Sequence, residues 1–92
     1  MVIWLGGGSV YGNTSIGYKA QYTSTTASGT AIGHKALYSN TTGGGNVAIG
    51  QEAMYDNTVA FRNTAVGVGA LADNVGANGN DNVAVGSGAM RT

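Results

Sequence analysis

A five-residue phrase recurs five times and constrains this chain more tightly than anything in its composition. The copies are Asn13-Thr-Ser-Ile-Gly17, Gly29-Thr-Ala-Ile-Gly33, Asn46-Val-Ala-Ile-Gly50, Asn63-Thr-Ala-Val-Gly67 and Asn82-Val-Ala-Val-Gly86. Their closing glycines, Gly17, Gly33, Gly50, Gly67 and Gly86, are separated by 16, 17, 17 and 19 residues. Three positions after each glycine stands an alanine (Ala20, Ala36, Ala53, Ala70, Ala89). The next residue is Leu37, Met54, Leu71 or Met90, with Gln21 as the exception. A period of this size means stacked repeats, each too small to fold alone, rather than a mixed globular core.

Composition agrees. In 92 residues there are one Trp and one Phe, so the 42% hydrophobic content leans on alanine and cannot fill a wide core. Burial must come from coil stacking on coil, and from association with other chains. Seventeen glycines without a proline exclude collagen, which needs glycine at every third position. Disorder fits the glycine and asparagine content, but not apolar residues held in register. Four basic and four acidic side chains cancel, leaving no charge to neutralise a nucleic-acid backbone or to seek an anionic membrane. No cysteine is present, and no run approaches the roughly 18 apolar residues of a membrane-spanning helix. Residues 1–6 carry neither the basic leader nor the apolar run of a signal peptide.

Within one repeat, residues alternate with period two around the Ile/Val position, as in a short strand. Ile16, Ile32, Ile49, Val66 and Val85, with Leu37, Met54, Leu71 and Met90, are the expected core. The Ala-Leu-Tyr segment (Ala36-Leu37-Tyr38) reads as a second strand, and Asn40-Thr-Thr-Gly-Gly-Gly45 as a turn. Small alanines let neighbouring walls, or neighbouring chains, approach, and the glycine opens the corner. The expectation is an all-β solenoid, a parallel β-roll of about five to six short coils spaced ~4.8 Å apart. Residues 1–12 form a degenerate capping coil, since Gly6-Gly-Gly-Ser9-Val10-Tyr11 echoes Gly33-His-Lys-Ala36-Leu37-Tyr38. Residues 13–92 form the repeats.

Several motifs compete with plainer readings. Gly76-Ala-Asn-Gly79-Asn-Asp81-Asn-Val83-Ala84 approaches the calcium-binding nonapeptide, but it occurs once and Ala77 replaces a required glycine, so a long turn is expected. Two asparagine columns (Asn13, Asn46, Asn63, Asn82 and Asn40, Asn57, Asn74) read as structural ladders, against an ice- or glycan-binding face. Asn13-Thr-Ser and Asn40-Thr-Thr match glycosylation sequons only as chance text in an Asn/Thr-rich chain. Tyr22, Tyr38 and Tyr55 share one repeat position and form a candidate surface contact column, against simple packing between chains or over Leu37 and Met54. Lys19, Lys35 and Glu52 share another and read as a solvated stripe. His34 is the only histidine and has no catalytic partner at a recognised spacing. Asp56 and Asp73 are equivalent positions, which points to turn chemistry. No phosphate loop, zinc helix or nucleophile elbow occurs, so neither enzymatic activity nor a cofactor or metal is expected.

The phrase Asn-x-Ala-(Ile/Val)-Gly-x-x-Ala-Leu resembles the head repeats of trimeric autotransporter adhesins of the YadA type. The run Tyr38-Ser-Asn-Thr-Thr-Gly43 is closer still to repeats of phage tail-fibre-like proteins. The likeness covers residues 13 to 90, and implies a left-handed β-roll with three chains side by side. The longer period departs from the adhesin heads and implies a longer outer turn, and nothing in these residues reads as a coiled-coil stalk, membrane anchor or chaperone domain. The resulting expectation is a structural and adhesive module of a homotrimeric fibre, on a virion or at a cell surface. It would contact a host-surface glycan or protein, without nucleic acid or membrane insertion. The alternatives are a bacterial trimeric autotransporter adhesin head and a monomeric ice- or glycan-binding β-solenoid.

Overall fold

The computed structural model describes residues 12–23, 29–73 and 79–90. Each phrase supplies one strand: β1 (Thr14–Ile16), β2 (Gly29–Ile32), β3 (Asn46–Ile49), β4 (Thr64–Val66) and β5 (Val83–Val85). They lie side by side in chain order in one parallel sheet. The chain therefore winds as a β-solenoid of about four turns, all-β among the described residues. The count of five to six coils included a worn copy over residues 1–12, of which all but Gly12 fall outside the described residues. Register places like on like: Ser15 beside Ala31, then Ala48, Ala65 and Ala84, and Ile16 beside Ile32, Ile49, Val66 and Val85.

The alternation is present, but its phase is opposite to the expected one. Ser15, Ala31, Ala48, Ala65 and Ala84 point inward and are buried. Ile16, Ile32, Ile49 and Val66 point outward, half-buried, and Val85 is 70% exposed. Period two says which residues share a face, and the width of the interior decides which face goes inside. Here that width is small. Ala20, Ala36, Ala53 and Ala70 line the inside with the strand alanines, and all are fully buried in one cluster. The paired small residues thus bring together two walls of the same coil, not two chains. Leu37, Met54 and Leu71 fill the remaining interior volume. Met90, the corresponding residue of the last coil, is 53% exposed, because among the described residues nothing stacks beyond β5.

The Ala-Leu-Tyr segment is a turn, not a second strand. Lys35 and Leu37 have φ of 59° and 53°, and Glu52 and Met54 repeat the pattern at 58° and 55°. Left-handed backbone costs about 1–2 kcal/mol per side-chain-bearing residue. Hydrogen bonds between coils offset it. Lys35 N–H donates to Tyr18 O (2.8 Å) and Leu37 N–H to Ala53 O (2.9 Å). Glu52 N–H donates to His34 O (2.9 Å) and Met54 N–H to Ala70 O (2.8 Å). In the last two coils the Lys/Glu position is Gly69 and Gly88, which adopt the same geometry (φ 69° and 67°) without strain.

Between strand and turn sits the glycine column. Gly17, Gly33, Gly50, Gly67 and Gly86 have φ between 127° and 137°, a region closed to L side chains. A Cβ on Gly50 would stand 2.5 Å from Gly67 O, and one on Gly33 2.7 Å from Gly50 O. Backbone meets backbone at this corner.

Asparagines close the other end of each coil from within. Asn63 N–H donates to Asn46 Oδ1 (3.0 Å), and Asn82 N–H to Asn63 Oδ1 (2.9 Å). In the first coil Asn13 Oδ1 accepts from Gly29 N–H (2.9 Å). The second column joins in: Asn57 Nδ2 donates to Asn40 Oδ1 (3.1 Å) and to Ala60 O (3.1 Å). The first coil also departs from the apolar interior. Gln21, in the Leu/Met place, donates to Ser15 Oγ (2.9 Å), Gly29 O (3.1 Å) and Thr14 O (3.2 Å).

The inverted phase makes an expectation that hydrophobicity alone would reverse. Ala48→Leu should destabilise by overpacking, by about 1–3 kcal/mol, and Leu37→Ala by about 2–5 kcal/mol through the cavity left. Ile49→Thr, on the outer face, should cost less than either in denaturant titration. A larger loss for Ile49→Thr would show that the isoleucine is the interior residue.

Candidate functional site

Two surfaces carry organised side chains. The first is the outer face of the sheet. Thr14, Thr30, Val47, Thr64 and Val83 form one row in register, and Ile16, Ile32, Ile49, Val66 and Val85 the other. Within a row neighbours stand ~4.8 Å apart. The rows are β-branched throughout, stiff, and without charge.

The second surface lies on the turn side, at fixed offsets from the glycine column. Tyr22 and Tyr38 stack with centroids 5.5 Å apart and planes 10° apart, and Tyr38 and Tyr55 at 5.0 Å and 2°. The contact column expected at these positions is thus a physical ladder. Four positions earlier, Tyr18 stacks on His34 at 5.3 Å and 16°. Between the two columns stand the lysines. Lys19 Nζ lies 5.2 Å from the Tyr18 ring centroid and 5.0 Å from that of Tyr22, and Lys35 Nζ 5.7 Å from that of Tyr38. A hydrogen bond with Tyr18, and then the charge interaction with the same group, hold the Lys19 ammonium above the usual lysine range. The ammonium groups of the expected solvated stripe thus lie over aromatic rings at Lys19 and Lys35. Sequence reasoning found the tyrosine column but missed the Tyr18–His34 stack and the lysine seats. The shared offset from glycine was the signal, obscured because tyrosine and histidine are different residue types.

The last outer turn holds an ion pair instead. Arg62 Nε donates to Asp81 Oδ1 (2.6 Å) and Arg62 Nη2 to Asp81 Oδ2 (3.0 Å), with the guanidinium 4.5 Å from the Phe61 ring centroid. The hydrogen bond from Arg62 holds the Asp81 carboxyl below the usual carboxylate range. Asp81, an oxygen donor in the calcium reading, is thus turned to Arg62. Residues 76–78 of that motif lie outside the described residues. Among the described residues no three His, Cys, Asp or Glu side chains gather as a metal site, and no cleft is enclosed. No described helix is long and apolar enough to cross a membrane.

No protein-family profile, curated protein or solved structure matches this chain.

The ion pair has a definite pH signature. Because the folded carboxyl is depressed, its contribution is complete above the ordinary carboxylate value and is lost as pH falls through the lower, folded one. Both partners are exposed, so the effect is small. Asp81→Asn should lower the thermal midpoint slightly at neutral pH, with the two proteins converging at strongly acid pH. A constant gap across the acid range would rule out the carboxylate as its source.

Proposed function

We propose that this chain is a structural and adhesive repeat module of a homotrimeric fibre, which mediates attachment and performs no catalysis. The observation that carries this reading is the outward isoleucine and valine row. The interior takes alanine, so the largest β-branched residues stand outside, where water is a poor neighbour for them. Within the ladder Ile16, Ile32, Ile49 and Val66 stay half-buried, and in the last described coil, on which no further described coil stacks, Val83 and Val85 each expose 70% of their surface. Three copies set side by side around an axis parallel to the solenoid would bury these rows against one another at every coil. A closed threefold arrangement leaves no sticky face to drive open-ended aggregation.

The resemblance of the repeated phrase points the same way, and the Tyr38-Ser-Asn-Thr-Thr-Gly43 run favours a phage tail fibre over a bacterial adhesin head. The place of action is then a virion fibre or another cell-facing surface. A ladder of backbone hydrogen bonds makes the rod stiff, and repeated outer contacts add by avidity. A monomeric ice- or glycan-binding solenoid draws on Thr14, Thr30 and Thr64, which share a row, but Val47 and Val83 interrupt that row and leave it without a constant polar lattice.

Light scattering coupled to size exclusion tests the assembly directly, with a mass of three chains expected. A single-chain mass that persists as concentration rises would overturn the trimer. Ile32→Asp with Ile49→Asp should yield smaller species that keep the β circular-dichroism signal, because the substituted side chains lie outside the coil.

A further inference from the structure

We propose that the tyrosine–lysine edge of the first two coils is a binding strip for a linear acidic saccharide laid along the solenoid axis. This deepens the fibre reading by naming what the adhesive surface holds, and rests on that reading only for its threefold multiplicity.

The chain is neutral overall, but its first acidic residue is Glu52, so Lys19 and Lys35 share residues 1–51 with no carboxylate. The acids Glu52, Asp56 and Asp73 follow on later coils. The strip is therefore basic over two coils, ~10 Å at the coil spacing, and bounded by negative charge at its far end. An anionic chain is held at one end and turned away at the other.

The lysines are also preorganised. Lys19 sits between the Tyr18 and Tyr22 rings, and Lys35 beside Tyr38. Aromatic rings restrain an ammonium without neutralising it, so less side-chain freedom is lost when an anion binds. This distinguishes Lys19 and Lys35 from Arg62, whose charge is already taken up by Asp81.

Ring geometry then selects the ligand class. Tyr38 has one face covered by Tyr22 and the other by Tyr55. Its faces are spent on the ladder, so it offers a ligand its edge and its hydroxyl. Nucleic acid, which needs open ring faces for its bases and many cations for its phosphates, fits poorly. A polymer whose hydroxyls meet tyrosine edges coil after coil, and whose carboxylate or sulfate groups meet the lysines, matches both features.

The test titrates the intact protein with heparin (sulfated), polygalacturonate (carboxylated), neutral dextran and poly-glutamate, by calorimetry at low and moderate salt. Binding to either acidic saccharide, weakened by salt and absent for dextran, is expected. Comparison of the two identifies the anionic group preferred. Lys19→Gln with Lys35→Gln should weaken binding about tenfold or more, and Tyr38→Phe should weaken it while keeping the ring stack. Both variants should retain the parent's mass and circular dichroism. Equal binding of dextran, no effect of the lysine pair, or poly-glutamate binding as tightly as the saccharides would each overturn the proposal. A change of assembled mass in the lysine variant would also overturn it, by placing the edge between chains. Saccharide binding by a protein of single-chain mass would sink the trimer and leave the strip standing; a trimer that binds neither saccharide would do the reverse.

Discussion

Each coil of this protein must lie on the next at backbone hydrogen-bonding distance, and most of the structure follows from that requirement. A parallel ladder repeats only if every coil turns at the same places by the same angles. The corner between strand and turn is the tightest of those places. There Gly17, Gly33, Gly50 and Gly67 approach the following coil's backbone so closely that a Cβ would lie 2.5–2.7 Å from a carbonyl oxygen. The glycine column is the price of stacking at this spacing, and it accounts for five of the seventeen glycines, a residue that otherwise weakens a fold.

The same requirement explains residues that are poor choices in isolation. Leu37 and Met54 are held in left-handed backbone, which is unfavourable for any side chain with a Cβ. They are tolerated because that geometry aims their N–H groups at the next coil and their side chains into the interior, where both are fully buried. Asn46 acts in the same way. A buried polar side chain is costly unless paired, and Asn46 pairs its oxygen with the backbone of Asn63 while its amide donates to Gly43 O and Ala60 O. At Asn46, bonds within the thin coil thus replace hydrogen bonds that water would have made.

A narrow interior also sets the character of the surface. Once alanine occupies the inside, isoleucine and valine must stand outside, and the tyrosines stack along the coils instead of burying themselves. Ordered side-chain rows on both sides of a thin body are therefore a by-product of the fold. They are also the natural substrate for function, since loops and turns here offer neither a cleft nor a cluster of reactive groups among the described residues. Stacked rows suit contacts that repeat along an axis: another chain of the same kind, or a polymer.

Much of this was legible in the residues alone. The recurrence of the glycines every 16 to 19 residues announced a solenoid, the Asn columns announced ladders, and the Tyr22, Tyr38 and Tyr55 offset announced an aromatic column. Each is a statement about equivalence between coils, which depends only on counting along the chain. What counting could not decide was direction. Val47-Ala48-Ile49 alternates whichever side faces in, and only the distance between the walls of one coil makes Ala48 the buried residue and Ile49 the outward one. Likewise Ala36-Leu37-Tyr38 has the composition of a strand, yet alternate positive φ values turn it, because the chain must reverse there to reach the next Asn. The order of the repeats was thus determined by sequence, and their inside and outside by tertiary closure, since closure alone fixes how much room the interior has.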